Sequence, residues 1–464
     1  MKRLLFITIS AAVLLQSCLV GPKFHKSDWK TEGKYRYSNN KSDSDSIATM
    51  KWWEVYQDTV LQSLIKVALT ENKDLQIAAS RILESQYAVG YNRADIYPKF
   101  DYAATGSLLN KSNSAAAESG SLYRNNVRGY GMVNWELDFW GKYRHATRAA
   151  KAQLLASEDS RNLLVTSLVA QVATLYFQLR GLDQELEIAR QTLVVRKAST
   201  QLITSRFEGG EVPELDKYQA QTQEAITAAL VPSLERQIAQ TEEALSILLG
   251  KNPGIIERGL TNASQKLPLY IPAGLPSQLL EHRWDVKQAE ELWKAQTEQV
   301  GVAQALRFPS FSLTGLFGAA SQDLTNITES GSLISYAAGS ITGPIFYFQK
   351  NKRRVDMERE KMEQARLQYE KVVLNAFAEV DDALISVDTY RREYDARNMQ
   401  LIASHGAARL SRERYDAGYT NFLEVLDNER TELDAALATA QALQYHLQST
   451  VQLYKALGGG WQVQ

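Results

Sequence analysis

The segment Arg206-Phe207-Glu208-Gly209-Gly210 recurs 208 positions later as Arg414-Tyr415-Asp416-Ala417-Gly418. Three more pairs of segments recur in the same order along the chain. They are Leu137–Trp140 with Ile345–Phe348, again 208 apart, and Tyr97–Phe100 with Phe308–Phe311 and Asp74-Leu75 with Asp285-Val286, both 211 apart. Chance matches do not keep order and spacing, so we predict an internal duplication with one small insertion or deletion between Phe100 and Leu137.

Each predicted copy contains one very long helix, over about 141–207 and about 350–415. Both helices carry apolar residues at alternating spacings of four and three, the heptad pattern of helices that pack side by side. These seam residues are Leu168, Val172, Leu175, Leu179, Leu182 and Leu186 in the first helix, and Val373, Phe377, Val380, Leu384 and Val387 in the second. An ordinary helix bundle gives the same stripes, so the length is more informative. About 67 helical residues span roughly 100 Å, and the flanking helices of roughly 35 to 38 residues span about half of that, which suits a tube.

Two segments interrupt the helices, over 98–137 and 309–346. Apolar and polar residues alternate there with period two, which predicts two β-hairpins with polar loops over 110–120 and 321–331. Strands of about ten residues fit a tilted membrane crossing, although a hairpin of a soluble protein is the alternative. Four strands cannot close a barrel, and lipid cannot satisfy an open sheet edge. Membrane strands therefore require an oligomer, and three chains would supply twelve strands.

The N-terminus predicts export and lipidation. Met1-Lys2-Arg3 precedes an apolar run from Leu4 to Leu15, as in a signal peptide over 1–17. Leu15-Gln16-Ser17-Cys18 resembles the cleavage site of bacterial lipoproteins, in which the cysteine becomes lipidated. Cys18 is the only cysteine, and lipidation explains an otherwise unpaired thiol in an exported protein. The alternative is a stray thiol. Since Leu19 is not Asp, the expected destination is the outer membrane.

Other function classes lack their signals. A net charge of −1 argues against a nucleic-acid partner, which requires a basic surface. The sequence contains no nucleotide-binding Gly-x-x-x-x-Gly-Lys-Ser/Thr motif and no Gly-x-Ser-x-Gly motif, and its five histidines lack metal-ligand spacing. We therefore expect neither an enzyme nor a cofactor or metal. No 18 consecutive apolar residues follow position 20, so no transmembrane helix is expected. Basic residues after each hairpin face either lipid phosphates or solvent: Lys142, Arg144, Arg148, Lys350, Lys352, Arg353 and Arg354.

Several further segments carry a resemblance to a family: Cys18–Pro22, Trp52-Trp53, Arg414–Gly418 with Phe422–Asp427, and Tyr454–Trp461. With these, the chain resembles the TolC-like outer-membrane factors of tripartite efflux pumps, of the OprM/NodT lipoprotein type. The resemblance implies a homotrimer with a twelve-stranded barrel in the outer membrane, four strands per chain, continuous with a long periplasmic α-helical barrel. It implies a periplasmic adaptor and an inner-membrane RND-type transporter as partners, and small toxic molecules, drugs or metal ions as cargo.

The resemblance also assigns site residues. Leu423 and Asp427 match positions that form constricting rings at the periplasmic end of related channels, and Arg430 matches a nearby polar partner. The turns at Gly209-Gly210 and Gly418 match adaptor-docking tips. Three apolar side chains on a threefold axis can close a pore, and three carboxylates can bind a cation. The alternative is that Leu423 lies in a coiled-coil core and that Asp427 is merely solvated.

The implied division of the chain has six parts. They are a signal peptide (1–17), a lipid-anchored N-terminal and equatorial segment (18–58), a first repeat (59–250), an equatorial linker (251–282), a second repeat (283–457) and a C-terminal equatorial segment (458–464). Two rival functions remain open. One is a structural periplasmic lipoprotein without a pore, and the other is the channel of a protein-secretion system.

Overall fold

The computed structural model describes residues 19–26, 35–37, 50–107, 126–265 and 276–459. Cys18, the signal peptide, the predicted loop over 110–120 and residues 460–464 lie outside them. The helices are α1 (Trp52–Val55), α2 (Thr59–Glu71), α3 (Lys73–Ala94), α4 (Lys142–Glu208), α5 (Glu214–Leu248), α6 (Pro276–His282), α7 (Trp284–Ala305), α8 (Lys350–Asp416) and α9 (Phe422–Ala456). The strands are β1 (Lys99–Ser107), β2 (Asn126–Leu137), β3 (Ser310–Ser321) and β4 (Leu333–Thr342).

The two halves have matching helix lengths. Helices α4 and α8 contain 67 residues each, and α5 and α9 contain 35 each. One of the predicted flanking helices is wrong in detail, because the helix that precedes the first hairpin, expected to be continuous over 61–94, is broken at Asn72. The Asn72 backbone is extended, its side-chain amide donates to the Leu248 carbonyl at 3.0 Å, and its side-chain oxygen accepts from the Leu75 amide at 3.1 Å. Asn72 thus ends α2 and caps α3.

The four strands form one antiparallel sheet in the order β1-β2-β3-β4. The two predicted hairpins are the pairs β1–β2 and β3–β4, and they join through the β2–β3 ladder from Val127 opposite Ser321 to Leu137 opposite Phe311. Strand β4 ends at Thr342, four residues earlier than predicted. Gly343 and Pro344 follow, and proline has no N–H for a ladder. Among the described strands, β1 and β4 are each paired on one side only.

The chain divides into two compact units, each built from both halves. One unit contains the four strands and their adjoining helix segments, within 81–158 and 288–370 and the described N-terminal residues up to 26. The other contains the described residues of 35–80, 159–287 and 371–459. Helices α4 and α8 contribute residues to both units.

The predicted seam is the core of the helical unit where its residues point inward. Val172 and Leu179 of α4 are fully buried, as are Val373 and Val380 of α8, whereas Phe377 is only half-buried. Within the described residues α4 is the one helix with a window long and apolar enough for a membrane span. Half of that window is buried inside the chain, as in a core helix, so the window is weak evidence for a membrane helix.

A buried carboxylate fixes the segment after α5. Asp58 caps α2 by accepting from the amides of Val60 and Leu61, and it also accepts from the Tyr176 hydroxyl, the Leu260 amide and the Gln265 side chain, each at 2.9 Å. Burial alone would raise the pKa of Asp58, but these hydrogen bonds outweigh it and lower the pKa. A charge buried this deeply is stable only with such a full set of donors.

Candidate channel elements

The turns between the long and the following helices have the same backbone geometry in both halves. Gly210 and Gly418 have φ of 77° and 78°, in the left-handed region that favours glycine. The Glu211 amide donates to the Arg206 carbonyl at 2.8 Å, and the Tyr419 amide donates to the Arg414 carbonyl at 2.9 Å. These bonds define a Schellman motif, which satisfies the last helical carbonyls and reverses the chain.

An apolar cluster lies beneath the two turns and joins them. Ile203 and Ala220 come from the first helical hairpin, and Phe422, Val425 and Leu426 come from the second. All five side chains are buried, and Val212 and Tyr415 pack against them. The two turns, which lie 208 residues apart in sequence, therefore form one tip, here defined as residues 203–220 and 415–430.

The predicted gate residues lie on an exposed face of this tip. Leu423 and Asp427 are one turn apart in α9 and so share a face. The Leu423 side chain is 57% exposed, and Asp427 pairs with Arg430 at 2.6 Å with both side chains exposed. Leu423 is therefore not core within a single chain, while a solvated Asp427 agrees with the alternative interpretation. At the 208 offset, Leu215 is exposed as well.

One buried polar residue near the tip, Arg196, was not predicted from the sequence. Arg196 of α4 is buried, and its guanidinium donates to the Gln223 carbonyl at 2.8 Å and to the Thr227 hydroxyl at 2.5 Å. Burial lowers the pKa of Arg196, and the carboxylates of Glu429 and Asp434 oppose that effect. The sequence does carry one signal for this residue. When the alternating spacing of three and four is continued from Leu186, it reaches Arg196, which places a cation in the apolar seam.

The end of the sheet where β2 leads into α4 is an aromatic junction. The Trp140 ring stacks on Phe308 with centroids 4.5 Å apart, and its Nε1–H donates to the Pro309 carbonyl at 2.7 Å. Phe139 lies 5.3 Å from Phe311, the partner of Leu137 in the ladder. The junction thus holds the first half of the chain against the second at this end of the sheet.

The basic residues after the two hairpins differ in their surroundings. Lys142 pairs with Glu136 at 2.5 Å, and Arg144 pairs with Asp138 at 3.1 Å. These acids stand at the end of β2 and just beyond it, so the first cluster is largely neutralised by its own chain. The second basic cluster, which begins at Lys350, is instead preceded by exposed apolar side chains over Ile345–Phe348.

A metal centre has no ligand set in the described part of the chain, where no three His, Cys, Asp or Glu side chains converge. His145 lies against Glu298 and the Val20 carbonyl, and His405 Nδ1 donates to the Glu432 carboxylate at 2.6 Å. The His145 contact is buried, and the His405 pair lies on the surface.

Comparison with known proteins assigns the family. The family model described as outer membrane efflux protein matches residues 64–251 and 275–459. The toluene efflux pump outer membrane protein TtgI of Pseudomonas putida is 32% identical over 463 residues, covering 98% of this chain and 97% of that protein. Outer membrane protein OprJ of Pseudomonas aeruginosa is 30% identical over 453 residues, covering 97% and 94%. The crystal structure of the Campylobacter jejuni outer membrane channel CmeC superposes with a TM-score of 0.89 at 25% identity, covering 96% of this chain and 95% of that one. The resemblance predicted from the sequence is confirmed, and this chain belongs to the outer membrane efflux protein family of TolC-like outer-membrane factors.

Proposed function

We propose that the chain is the outer-membrane channel of a tripartite RND-type efflux pump, a passive exit duct for small toxic molecules, drugs or metal ions. The observation that carries this proposal is the four-stranded sheet with two unpaired outer edges, in a chain whose helices reach 67 residues. A helix of that length spans roughly 100 Å, far more than a compact soluble domain requires. The full-length similarity to a toluene efflux protein and to solved outer-membrane channels supports the same function.

The assembly that this function requires is a homotrimer. Three sheets of four strands make a twelve-stranded barrel, which leaves no backbone edge exposed to lipid. The helices of three subunits then form a second, α-helical barrel in the periplasm. An internal duplication gives this trimer six-fold pseudo-symmetry, and the equal helix lengths and the two separate matches to the family model support it. We propose the same six-part division of the chain for each subunit, from the signal peptide (1–17) to the C-terminal equatorial segment (458–464).

The location that we propose is the outer membrane, with most of the chain in the periplasm and a lipid on Cys18. The lipoprotein-type segment Leu15–Cys18 and the absence of Asp at position 19 support it. A multi-acyl anchor would hold the chain to the leaflet independently of the barrel. The chain has no proposed catalytic residue, resident metal or cofactor, and no nucleic-acid partner.

The periplasmic gate is proposed to consist of Leu423, Asp427 and Arg430. Their exposure on one face of the tip leaves them free to meet equivalent residues of two other subunits. Single-channel recording of Leu423→Ala and Asp427→Ala in a planar bilayer should show raised conductance, with Leu215→Ala as the matched control because Leu215 occupies the equivalent place in the first half. Unchanged conductance in both gate variants would reject the gate and leave the channel intact.

The adaptor is proposed to dock at the turns around Gly209, Gly210 and Gly418. A Cβ atom at Gly210 or Gly418 would meet no atom within 4 Å, so this surface is open. Gly418→Arg should therefore fold and trimerise but lose co-purification with the periplasmic adaptor. Retained co-purification in this variant and in Gly210→Arg would place the docking surface elsewhere.

The experiment that tests the function is dye retention in cells. A strain that lacks this chain should accumulate ethidium, and expression of the chain should restore efflux while an equal amount of a strand-β1 deletion should not. Restored export of a secreted protein with unchanged dye retention would favour the protein-secretion channel. Failure to restore either transport process would favour a structural lipoprotein.

A further inference from the structure

The β2–β3 ladder joins the two halves within one chain, and three contacts at its end accompany it. Leu137 lies opposite Phe311, Phe139 contacts Phe311 at 5.3 Å, and Trp140 stacks on Phe308. The Leu137, Phe139 and Trp140 side chains are half-buried by these contacts. The ladder and the aromatic junction therefore form a single connection between the end of one hairpin and the start of the next.

The same residue types recur at the two outer edges of the sheet, but among the described residues no strand pairs with those edges, and Phe348 contacts only its neighbour Phe346, with ring centroids 4.6 Å apart. The equivalents of Leu137, Phe139 and Trp140 at the 208 offset follow β4, and the equivalents of Phe308 and Phe311 at the 211 offset precede or begin β1. They are Ile345, Tyr347 and Phe348 on one side, and Tyr97 and Phe100 on the other. All five are exposed, with Ile345 completely so and Phe348 84% exposed.

We infer that strand β4 of one subunit pairs with β1 of the next in the register of the β2–β3 ladder. Phe348 then stacks on Tyr97 of the partner subunit, a contact that we call the aromatic lock. The inference rests on the proposed trimer and adds the residues that join its subunits. Shifting the β2–β3 partners by the two offsets sets Thr342 opposite Ala103 of the partner subunit and Ala338 opposite Ser107 of the partner subunit.

The ladder at this interface is limited to about five residue pairs. Pro344 has no N–H to donate, and β4 already ends at Thr342. After Thr342 the two subunits are joined by aromatic side chains instead of backbone hydrogen bonds. Tyr347 packs against Phe100 of the partner subunit, and Phe348 packs against Tyr97 of the partner subunit. Aromatic pairs of this kind add affinity and orientation to the area that they bury.

The backbone of this segment also points to a rearrangement on assembly. At the first junction only Gly141 has a positive φ, of 82°, whereas at the second both Phe348 and Gln349 do, with 47° and 65°. A left-handed φ is unfavourable for a residue with a Cβ atom. The stack on the partner subunit requires Phe348 to adopt the negative φ of Trp140, which removes this strain at one position.

A second copy of the chain is the occupant that fits both edges at once. An edge of β4 needs an antiparallel strand, and β1 offers one with the aromatic residues at the matching end. Another protein would have to present both complementary edges to close the sheet. The charge pattern agrees, because the residues facing each other over these five pairs are all uncharged.

The register is tested with paired cysteines in membranes. Ser340→Cys with Thr105→Cys places the two residues opposite each other, where Cα atoms about 4.5–5.5 Å apart allow a disulfide. Within one subunit two strands separate β1 from β4, so this pair cannot close intramolecularly. Ser340→Cys with Ala103→Cys is the matched control, because residues diagonal by two positions lie about 7–8 Å apart.

Mild oxidation of the opposite pair should give dimer and trimer bands on a non-reducing gel, and the diagonal pair should give at least tenfold less. Ile341→Cys with Ala104→Cys should behave like the first pair. Stronger cross-linking of the diagonal pair, or none in any pair of an intact trimer, would overturn the register and leave the channel standing. A monomeric particle would overturn the channel assembly together with this inference.

The aromatic lock is tested by the temperature at which the trimer dissociates in detergent. Phe348→Ala should lower this temperature, and Phe317→Ala, an exposed aromatic residue on the central strand β3, should not. Phe348→Trp should match or exceed the wild type, because the indole N–H can donate to the Pro98 carbonyl of the partner subunit as Trp140 does to Pro309. Equal effects of Phe348→Ala and Phe317→Ala would overturn the lock.

Discussion

Replacing a helix-ending glycine by alanine should lower the free energy of unfolding only slightly at Gly418 in the tip and much more at Gly250, which follows α5. Gly418 and Gly250 both have positive φ, 78° and 65°. At Gly418 an added Cβ atom would meet nothing within 4 Å, but at Gly250 it would lie 2.3 Å from the Glu71 carbonyl oxygen. The pair therefore shares one backbone penalty and differs in the available space.

The magnitudes follow from these two terms. A residue with a Cβ atom in the left-handed conformation costs about 1–2 kcal/mol. Alanine also gives the unfolded chain less conformational entropy than glycine does, which offsets about 0.4–1 kcal/mol of this cost. Gly418→Ala should thus lose about 1 kcal/mol. Gly250→Ala must also displace the backbone at the end of α2, and overpacking of this kind costs about 1–3 kcal/mol more.

The assay is guanidinium unfolding in detergent, followed by far-ultraviolet circular dichroism at constant protein concentration. If the free energy of unfolding depends on denaturant concentration with the same slope in both proteins, the shift in the unfolding midpoint reports the loss of stability. Gly210→Ala is the matched control and should behave like Gly418→Ala, because its surroundings are equally open. A loss for Gly418→Ala equal to or larger than that for Gly250→Ala would refute the steric reasoning.

Three further substitutions test the polar interior of the helical unit. Asp58→Asn should lose about 2 kcal/mol of stability at pH 7, since hydrogen bonds to a charged group contribute about 1.5–3 kcal/mol. Because folding lowers the pKa of Asp58, this stabilisation is present above about pH 4 and is lost as the pH falls through the pKa of the folded state. The unfolding midpoint of the variant should therefore lack this dependence on acid pH. Burial raises the pKa of Glu185 to about 7, so the folded chain binds more protons than the unfolded chain between about pH 4 and 7, and stability falls as the pH rises through that window. Glu185→Gln should remove this fall and exceed the wild type in unfolding midpoint above pH 7, and a variant with the wild-type pH profile would contradict the assignment. Arg283→Ala leaves Asp285, Glu379 and the Ala456 carbonyl without their buried donor and should lose about 1–3 kcal/mol, because both carboxylates can still reach water, whereas no measurable loss would show that the guanidinium contributes nothing to stability.

The long helices were the most predictable part of the fold. Their heptad spacing and the glycines at both turns are local signals, and the observed ends fall within one residue of the predicted ones. The period-two alternation likewise indicated strands where the structure has them. The sequence did not reveal the break at Asn72, because that residue is stabilised by the Leu248 carbonyl, 176 positions away.

The candidate site could be predicted only in part. The turns were found because Gly210 and Gly418 carry a local backbone requirement. The buried Arg196 and Asp58 were missed, since their partners come from distant segments and leave no spacing signal except the seam position of Arg196. The roles of Leu423, Asp427 and Arg430 stay predictions, because the contacts that would define a gate lie between subunits.

The direct test of the central proposal is the mass of the intact detergent-extracted particle, combined with single-channel recording in a planar bilayer. We expect a particle of three chains that conducts ions. A monomer, or a trimer that does not conduct, would contradict the barrel and favour a structural lipoprotein.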